Sequence, residues 1–88
     1  MMLEKIQSLR SAGVVIGDEV NPEKISSSSH IYAGCRILGA ETSIGPGCVI
    51  GREAPVVIEN CQLGRNVELK GGYFSGAVFF DGANMGSG

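Results

Sequence analysis

From Ile25 onward an aliphatic side chain returns at an interval of six: Ile25, Ile31, Ile37, Ile44, Ile50, Val57, Leu63 and Leu69, with one extra residue after Ile37 and one after Ile50. An internal period decides the whole fold of a chain that has one. Four residues after the aliphatic position stand Ser29, Cys35, Cys48, Ala54, Cys61 and Val67, mostly small, and Gly follows directly at Ile44, Ile50 and Leu63. Two inward positions in each six-residue unit match a short strand followed by a tight turn, with Gly where the turn demands a positive φ.

Three such units close a triangular coil of roughly eighteen residues, and successive coils stack. Each aliphatic side chain then meets its counterpart one coil away, while backbone groups pair with the strands above and below. Counting three units per coil, and treating the two extra residues as corner bulges, predicts three columns. Ile31 stacks on Ile50 and Leu69; Ile25, Ile44 and Leu63 form a second column; Ile37 with Val57 forms a third. Cys35, Cys48 and Cys61 fall on three different faces, which argues against disulfides. They form no CxxC pair and follow no secretory signal or long apolar segment. They read as compact buried hydrophobes in a reducing cytoplasm.

Composition agrees with a turn-dense β architecture. Fourteen glycines with no Trp are too many for a helical bundle, and 43% hydrophobic residues are too many for a disordered chain. Seven basic against nine acidic residues, without a run of either, leave no patch for nucleic acid, and no segment suits a membrane. Residues 1–13 read as a short amphipathic helix and linker: Met2, Leu3, Ile6 and Leu9 recur at helical spacing, and Gly13 suits the helix end. Residues 14–88 read as the coil. Its last stretch, Gly82 to Gly88, lacks the polar cap that a repeat array needs, so the coil is expected to be truncated at its C-terminus.

The phrase Ile44-Gly45-Pro46-Gly47-Cys48-Val49-Ile50-Gly51 resembles the hexapeptide-repeat transferases, and the likeness covers roughly residues 13 to 88. It implies an all-β solenoid, a left-handed parallel β-helix of three to four coils behind the short N-terminal helix, and a homotrimer. Handedness comes from the resemblance alone, since parallel crossovers are otherwise right-handed. Ala12-Gly13-Val14, then Asn21-Pro22 and Ile25, is similar to the approach to the acetyltransferase half of bifunctional uridyltransferase/acetyltransferases that make UDP-N-acetylglucosamine. The leading helix would be a linker to a nucleotidyltransferase domain, which 88 residues cannot also hold, and no Gly-rich phosphate loop follows a strand.

Two alignments of the C-terminal third carry family site residues over, all implied substrate contacts. Val67-Glu68-Leu69-Lys70 resembles a Val-Glu-x-Lys segment whose lysine contacts phosphate and substrate, which marks Lys70. Alternatively Tyr73 through Gly88, with Ala77, Asp81, Asn84 and Gly86 in step, resembles a segment whose Tyr and Asn contact the amino sugar, which marks Tyr73 and Asn84. The second alignment puts Lys70 where the family has its catalytic histidine, and a protonated lysine is a poor general base. The first puts that histidine beyond Gly88. No catalytic residue and no metal ligand is assigned.

Structural readings of the same residues stand beside these. Lys70 serves equally as an exterior lysine that discourages edge pairing, and Asn84 as a turn residue. His30, the only histidine, should face outward next to Ile31. Tyr73, Phe79 and Met85 repeat at six and would either fill a widening interior or pack on a neighbouring subunit, with Phe74 and Phe80 pointing the other way towards a protein interface. The resemblance implies part of a sugar-phosphate or nucleotide-sugar transferase, inactive alone, with acetyl-CoA as donor only in the full-length protein and no cofactor for this chain. The alternatives are a non-catalytic trimerising scaffold and a regulatory β-helix module.

Overall fold

The computed structural model of the protein describes residues 2–86, with the side chains of Met2 and Leu3 outside the described set together with residues 1, 87 and 88. Helix α1 (Met2–Ser11) comes first and ends before Gly13, whose φ is +98°. The chain then winds through β1 (Val15–Ile16), a 3-10 turn (Pro22–Lys24), β2 (His30–Ile31), β3 (Arg36–Leu38), β4 (Ser43–Ile44) and β5 (Val49–Ile50). It continues through β6 (Val56–Glu59), β7 (Gln62–Leu63), β8 (Glu68–Leu69), β9 (Gly72–Ser75), β10 (Val78–Phe79) and β11 (Asn84–Met85).

These strands make three parallel sheets: β1-β3-β6-β9 on a first face, β4-β7-β10 on a second and β2-β5-β8-β11 on a third. Ile25 extends the second sheet by an isolated parallel bridge to Ile44. The chain visits the faces in turn, so the molecule is a β-solenoid of about four coils with one short N-terminal helix. No described helix is long and apolar enough to cross a membrane.

Two of the three columns hold as counted. Ile31 pairs with Ile50 and Ile50 with Leu69; Ile44 pairs with Leu63, and Ile25 with Ile44. The third does not: Ile37 stacks on Ile58, and Val57 faces outward against Arg36. The corner after Ile50, residues 51–55, is longer than a single inserted residue, and the Ala54 N–H donates to the Lys70 carbonyl at 2.9 Å. Val56-Val57-Ile58 is β-branched throughout, so side-chain type cannot tell which of its members faces in. Strand alternation then makes Val56 and Ile58 the buried pair, and Val56 takes the small inward place expected of Ala54, which stays half-buried in the corner.

The buried small residue stands two places before each column residue: Cys35 before Ile37, Thr42 before Ile44, Cys48 before Ile50, Cys61 before Leu63 and Val67 before Leu69, all buried. The cysteines are free thiols, and burial raises the pKa of Cys35 and Cys48, so both stay protonated. Thr42 is tolerated inside because its hydroxyl donates to the Leu38 carbonyl at 2.6 Å. Gly51 combines a φ of +86° with a Cβ direction that points into the Cys35 sulfur, so neither its conformation nor its neighbour admits a side chain.

The two ends differ. At the N-terminal end α1 lays Ile6 and Leu9 on the core. At the other end the last coil is shorter: corresponding rungs are nineteen residues apart at Ile31, Ile50 and Leu69 but sixteen apart from Leu69 to Met85, against the expected eighteen. Shortening moves the register at the first corner. Phe74, not Tyr73, covers Ile58, and Tyr73 lies outward over Val57 with 62% of its surface exposed. Of the expected inward series Tyr73, Phe79, Met85, the first place goes to Phe74, Phe79 is partly buried over Leu63, and Met85 pairs with Leu69 but stays 42% exposed; Phe74 meets Phe79 edge to face at 5.3 Å and 86°. Phe80 points to solvent as expected.

Side chains also clip adjacent coils at the corners, each accepting a backbone N–H of the neighbouring coil. Glu19 Oε2 takes Gly39 N at 2.7 Å, Ser28 Oγ takes Gly47 N at 3.2 Å, Asn60 Oδ1 takes Glu41 N at 3.1 Å and Asp81 Oδ1 takes Arg65 N at 2.8 Å. The Gly39 N–H, aided by Glu19's own amide, holds the Glu19 carboxyl below its ordinary pKa.

Two measurements follow. Ile58→Ala should cost about 2–5 kcal/mol of unfolding free energy in urea, and Val57→Ala less than about 1.5 kcal/mol; equal losses would reject the corrected column. A carboxyl with a depressed folded pKa stabilises fully above its unfolded value near 4.5, and that contribution fades as pH falls through the folded value. Glu19→Gln should therefore flatten the acid side of the stability profile below about pH 4.5, read as denaturation midpoint against pH, and leave the neutral side parallel to that of the parent.

Candidate functional site

Outward side chains stack between coils just as inward ones do, so each face of the solenoid carries its own exterior column. The third face presents His30, Val49, Glu68 and Asn84 in register. The first face presents Val15, Arg36, Val57 and Tyr73, with Leu38, Glu59 and Ser75 in a second line.

Lys70 lies at the corner that leads from the third face to the first. Its backbone is fixed on both sides, with its N–H donating to the Met85 carbonyl at 3.0 Å and its carbonyl accepting from Ala54, and the residue is half-buried. Asn84, on β11, donates from Nδ2 to Glu68 Oε1 at 3.4 Å. The other oxygen of Glu68 is 2.8 Å from the Arg52 guanidinium, which reaches across from the corner after β5. That oxygen is buried and receives no well-aligned N–H, so the pair is a close charge contact with unfavourable hydrogen-bond angles. Half of the Arg52 side chain remains exposed, against 22% for Glu68.

Tyr73 stands apart. It is exposed on the first face, and its hydroxyl donates to Glu59 Oε1 at 3.1 Å. That bond, together with repulsion between a phenolate and the Glu59 carboxylate, raises the tyrosine pKa, so the phenol is a donor and not a base. His30 is exposed on the third face as expected, two strands from Glu68, roughly 10 Å along the sheet.

Of the three residues marked from the sequence, the structure places Asn84 in a polar group with Glu68 and Arg52 and puts Lys70 two residues along the chain from that glutamate. It holds Tyr73 on the neighbouring face. Neither Arg52 nor Glu68 is marked from the sequence as a site residue, although Glu68 belongs to the segment that marks Lys70. Their connection depends on the coil length: only with a nineteen-residue rung does Glu68 fall over Val49, next to the corner that carries Arg52.

Two cations, a carboxylate and a carboxamide can hold hydroxyl or anionic groups. None of them is a general base for an amine near neutral pH, apart from a carboxylate already occupied by Arg52 and Asn84. Among the described residues no group of three or more His, Cys, Asp or Glu side chains is placed to hold a metal ion.

No family model and no solved structure matches the chain. One curated relative is the bifunctional protein GlmU of Syntrophotalea carbinolica, 42% identical over 71 residues, an alignment that takes in 75% of this chain and 15% of that protein. The chain thus spans a small part of the length of the relative it matches. In rung order and in sequence it is a β-solenoid consistent with a hexapeptide-repeat β-helix and similar to a stretch of GlmU.

Proposed function

We propose that this chain is a coil segment of a sugar-phosphate or nucleotide-sugar transferase of the GlmU kind, supplying scaffold and one polar wall of a substrate site without performing acyl transfer itself. The observation that carries this reading is the coincidence of the rung register Ile31–Ile50–Leu69 with the likeness to GlmU over most of the chain.

Acetyl transfer from a thioester requires an amine nucleophile to lose its proton, and acetyl-CoA supplies only the acyl group. A base must lie within about 2.6–3.2 Å of that amine. At the Arg52, Glu68, Lys70 and Asn84 wall no imidazole is within reach, because His30 sits two strands away behind Val49. Lys70 and Asn84 are the residues of this chain that would contact the sugar phosphate; Tyr73 would do so only by giving up its bond to Glu59.

That the Asn84 Nδ2 and the Tyr73 hydroxyl are already bonded to carboxylates of this chain favours a second reading, a bracing or trimerising module. The homotrimer and the cytoplasmic setting belong to the same proposal. Calorimetric titration with glucosamine 1-phosphate and with acetyl-CoA, alongside light scattering, distinguishes these cases. The transferase-segment reading expects glucosamine 1-phosphate to bind at about millimolar Kd, weakened at least fivefold by Lys70→Met, with no acetyl transfer. A trimer with no heat from either ligand selects the bracing module. Turnover by the chain alone would contradict both.

A further inference from the structure

A concavity lies at the opposite end of the third face from the Arg52 and Glu68 wall. It is an open groove of about 280 Å³ between α1 and β2, lined by Lys5, Leu9, Ser29, His30, Ile31 and Tyr32. Leu9 and Ile31 are both buried and make an apolar floor. His30 and Tyr32 flank Ile31 at a spacing of two and point to the same outer side of the strand, and both are exposed.

The backbone adds a feature that the lining alone does not reveal. β2 is the terminal strand of its sheet, paired only with β5. His30 N–H and Tyr32 N–H donate to the Cys48 and Ile50 carbonyls at 2.8 and 2.9 Å. In a parallel ladder the intervening residue turns its N–H and C=O to the opposite edge. Ile31 therefore offers its amide donor to the groove. The ammonium of Lys5 is held at the same edge by the Ser29 carbonyl at 2.8 Å and the Ser27 carbonyl at 3.2 Å. Both partners are uncharged acceptors, so these two bonds leave the positive charge of Lys5 unneutralised, one peptide from His30.

From this juxtaposition we infer that the groove binds a small carboxylate with an apolar or aromatic body, its oxygens on the Ile31 N–H and the Lys5 ammonium and its body on Leu9 and Ile31 beside Tyr32. Charge complementarity selects an anion, because the groove lining contains no carboxylate. The apolar floor selects a body that inorganic phosphate lacks. An added peptide strand is disfavoured, since β2 is two residues long and exposes one N–H and C=O pair where strand addition uses several. The volume lies at the small end of ligand sites, which suits a single ring.

The test is a titration of the ¹⁵N-labelled full chain with sodium benzoate, with benzamide as the uncharged control. The expected result is a saturable shift of the Ile31 amide and of the Tyr32 and His30 signals, with Kd about 1–10 mM for so few atoms, and no saturation with benzamide. Lys5→Met, which keeps the aliphatic stem, should raise Kd at least fivefold. Because Lys5 also ties α1 to the coil, Tyr32→Ala gives an independent reading and should raise Kd at least threefold with α1 undisturbed. The inference is overturned by an unmoved Ile31 amide at roughly 50 mM benzoate, by an equal response to benzamide, by shifts centred on Arg52 and Lys70, or by an unchanged Kd in Tyr32→Ala.

Discussion

Direct stacking of one branched aliphatic residue on the next, rung over rung, is the constraint on which the rest of this molecule depends. Strands of two to four residues have no independent stability, and three or more with a shared apolar face are needed before pairing persists. Here every strand finds its neighbour one coil away, and the interior is filled by a large and a small side chain from each rung. Ile37, Ile44, Ile50, Ile58 and Leu69 are almost completely shielded from water. Fully burying each such side chain stabilises by about 1.5–3 kcal/mol, which makes the columns the main source of order.

The same registry that builds the interior dictates the surface. If Ile50 lies on Leu69, then Val49 must lie on Glu68, and the corner that follows must bring Arg52 towards that glutamate. Exterior chemistry is thus a consequence of core alignment, and a one-residue shift in a corner moves a side chain from one role to another. Tyr73 and Phe74 illustrate this: shortening of the last coil exchanged their sides, sending the phenol to Glu59 and the phenyl ring onto Phe79. The ends obey the same logic. α1 shields the first rung, with Lys5 bonded to carbonyls at its edge, whereas among the described residues of the last coil Phe74 and Phe79 are partly buried against the core and Met85 is exposed.

Much of this was legible in the sequence because packing in a solenoid is a property of period, and period survives without knowledge of distant partners. Two columns, the helix and the outward His30 followed from spacing alone. Corners were not legible. The run Val56-Val57-Ile58 contains three residues that suit an inward position, and only the length of the loop from Gly51 to Pro55 decides among them. Thr42 was missed because the extra residue after Ile37 moves it to the fifth place after the column residue, and its bond to Leu38 makes that inward position acceptable. Arg52 and Glu68 were missed for a different reason: stacking Ile50 on Leu69 already sets Val49 over Glu68, but the path of the corner that carries Arg52 is not encoded in the repeat. The groove beside Lys5 depends on where α1 comes to rest, and no repeat encodes that.

Which side chains occupy successive rungs is read most directly in solution by methyl NOE spectroscopy of the labelled chain. Cross-peaks should join Ile31 to Ile50, Ile50 to Leu69 and Ile37 to Ile58, with none from Ile37 to Val57 of comparable strength. Strong Ile37 to Val57 contacts, or an absence of contacts between residues nineteen apart, would contradict the stacked coil and everything derived from it.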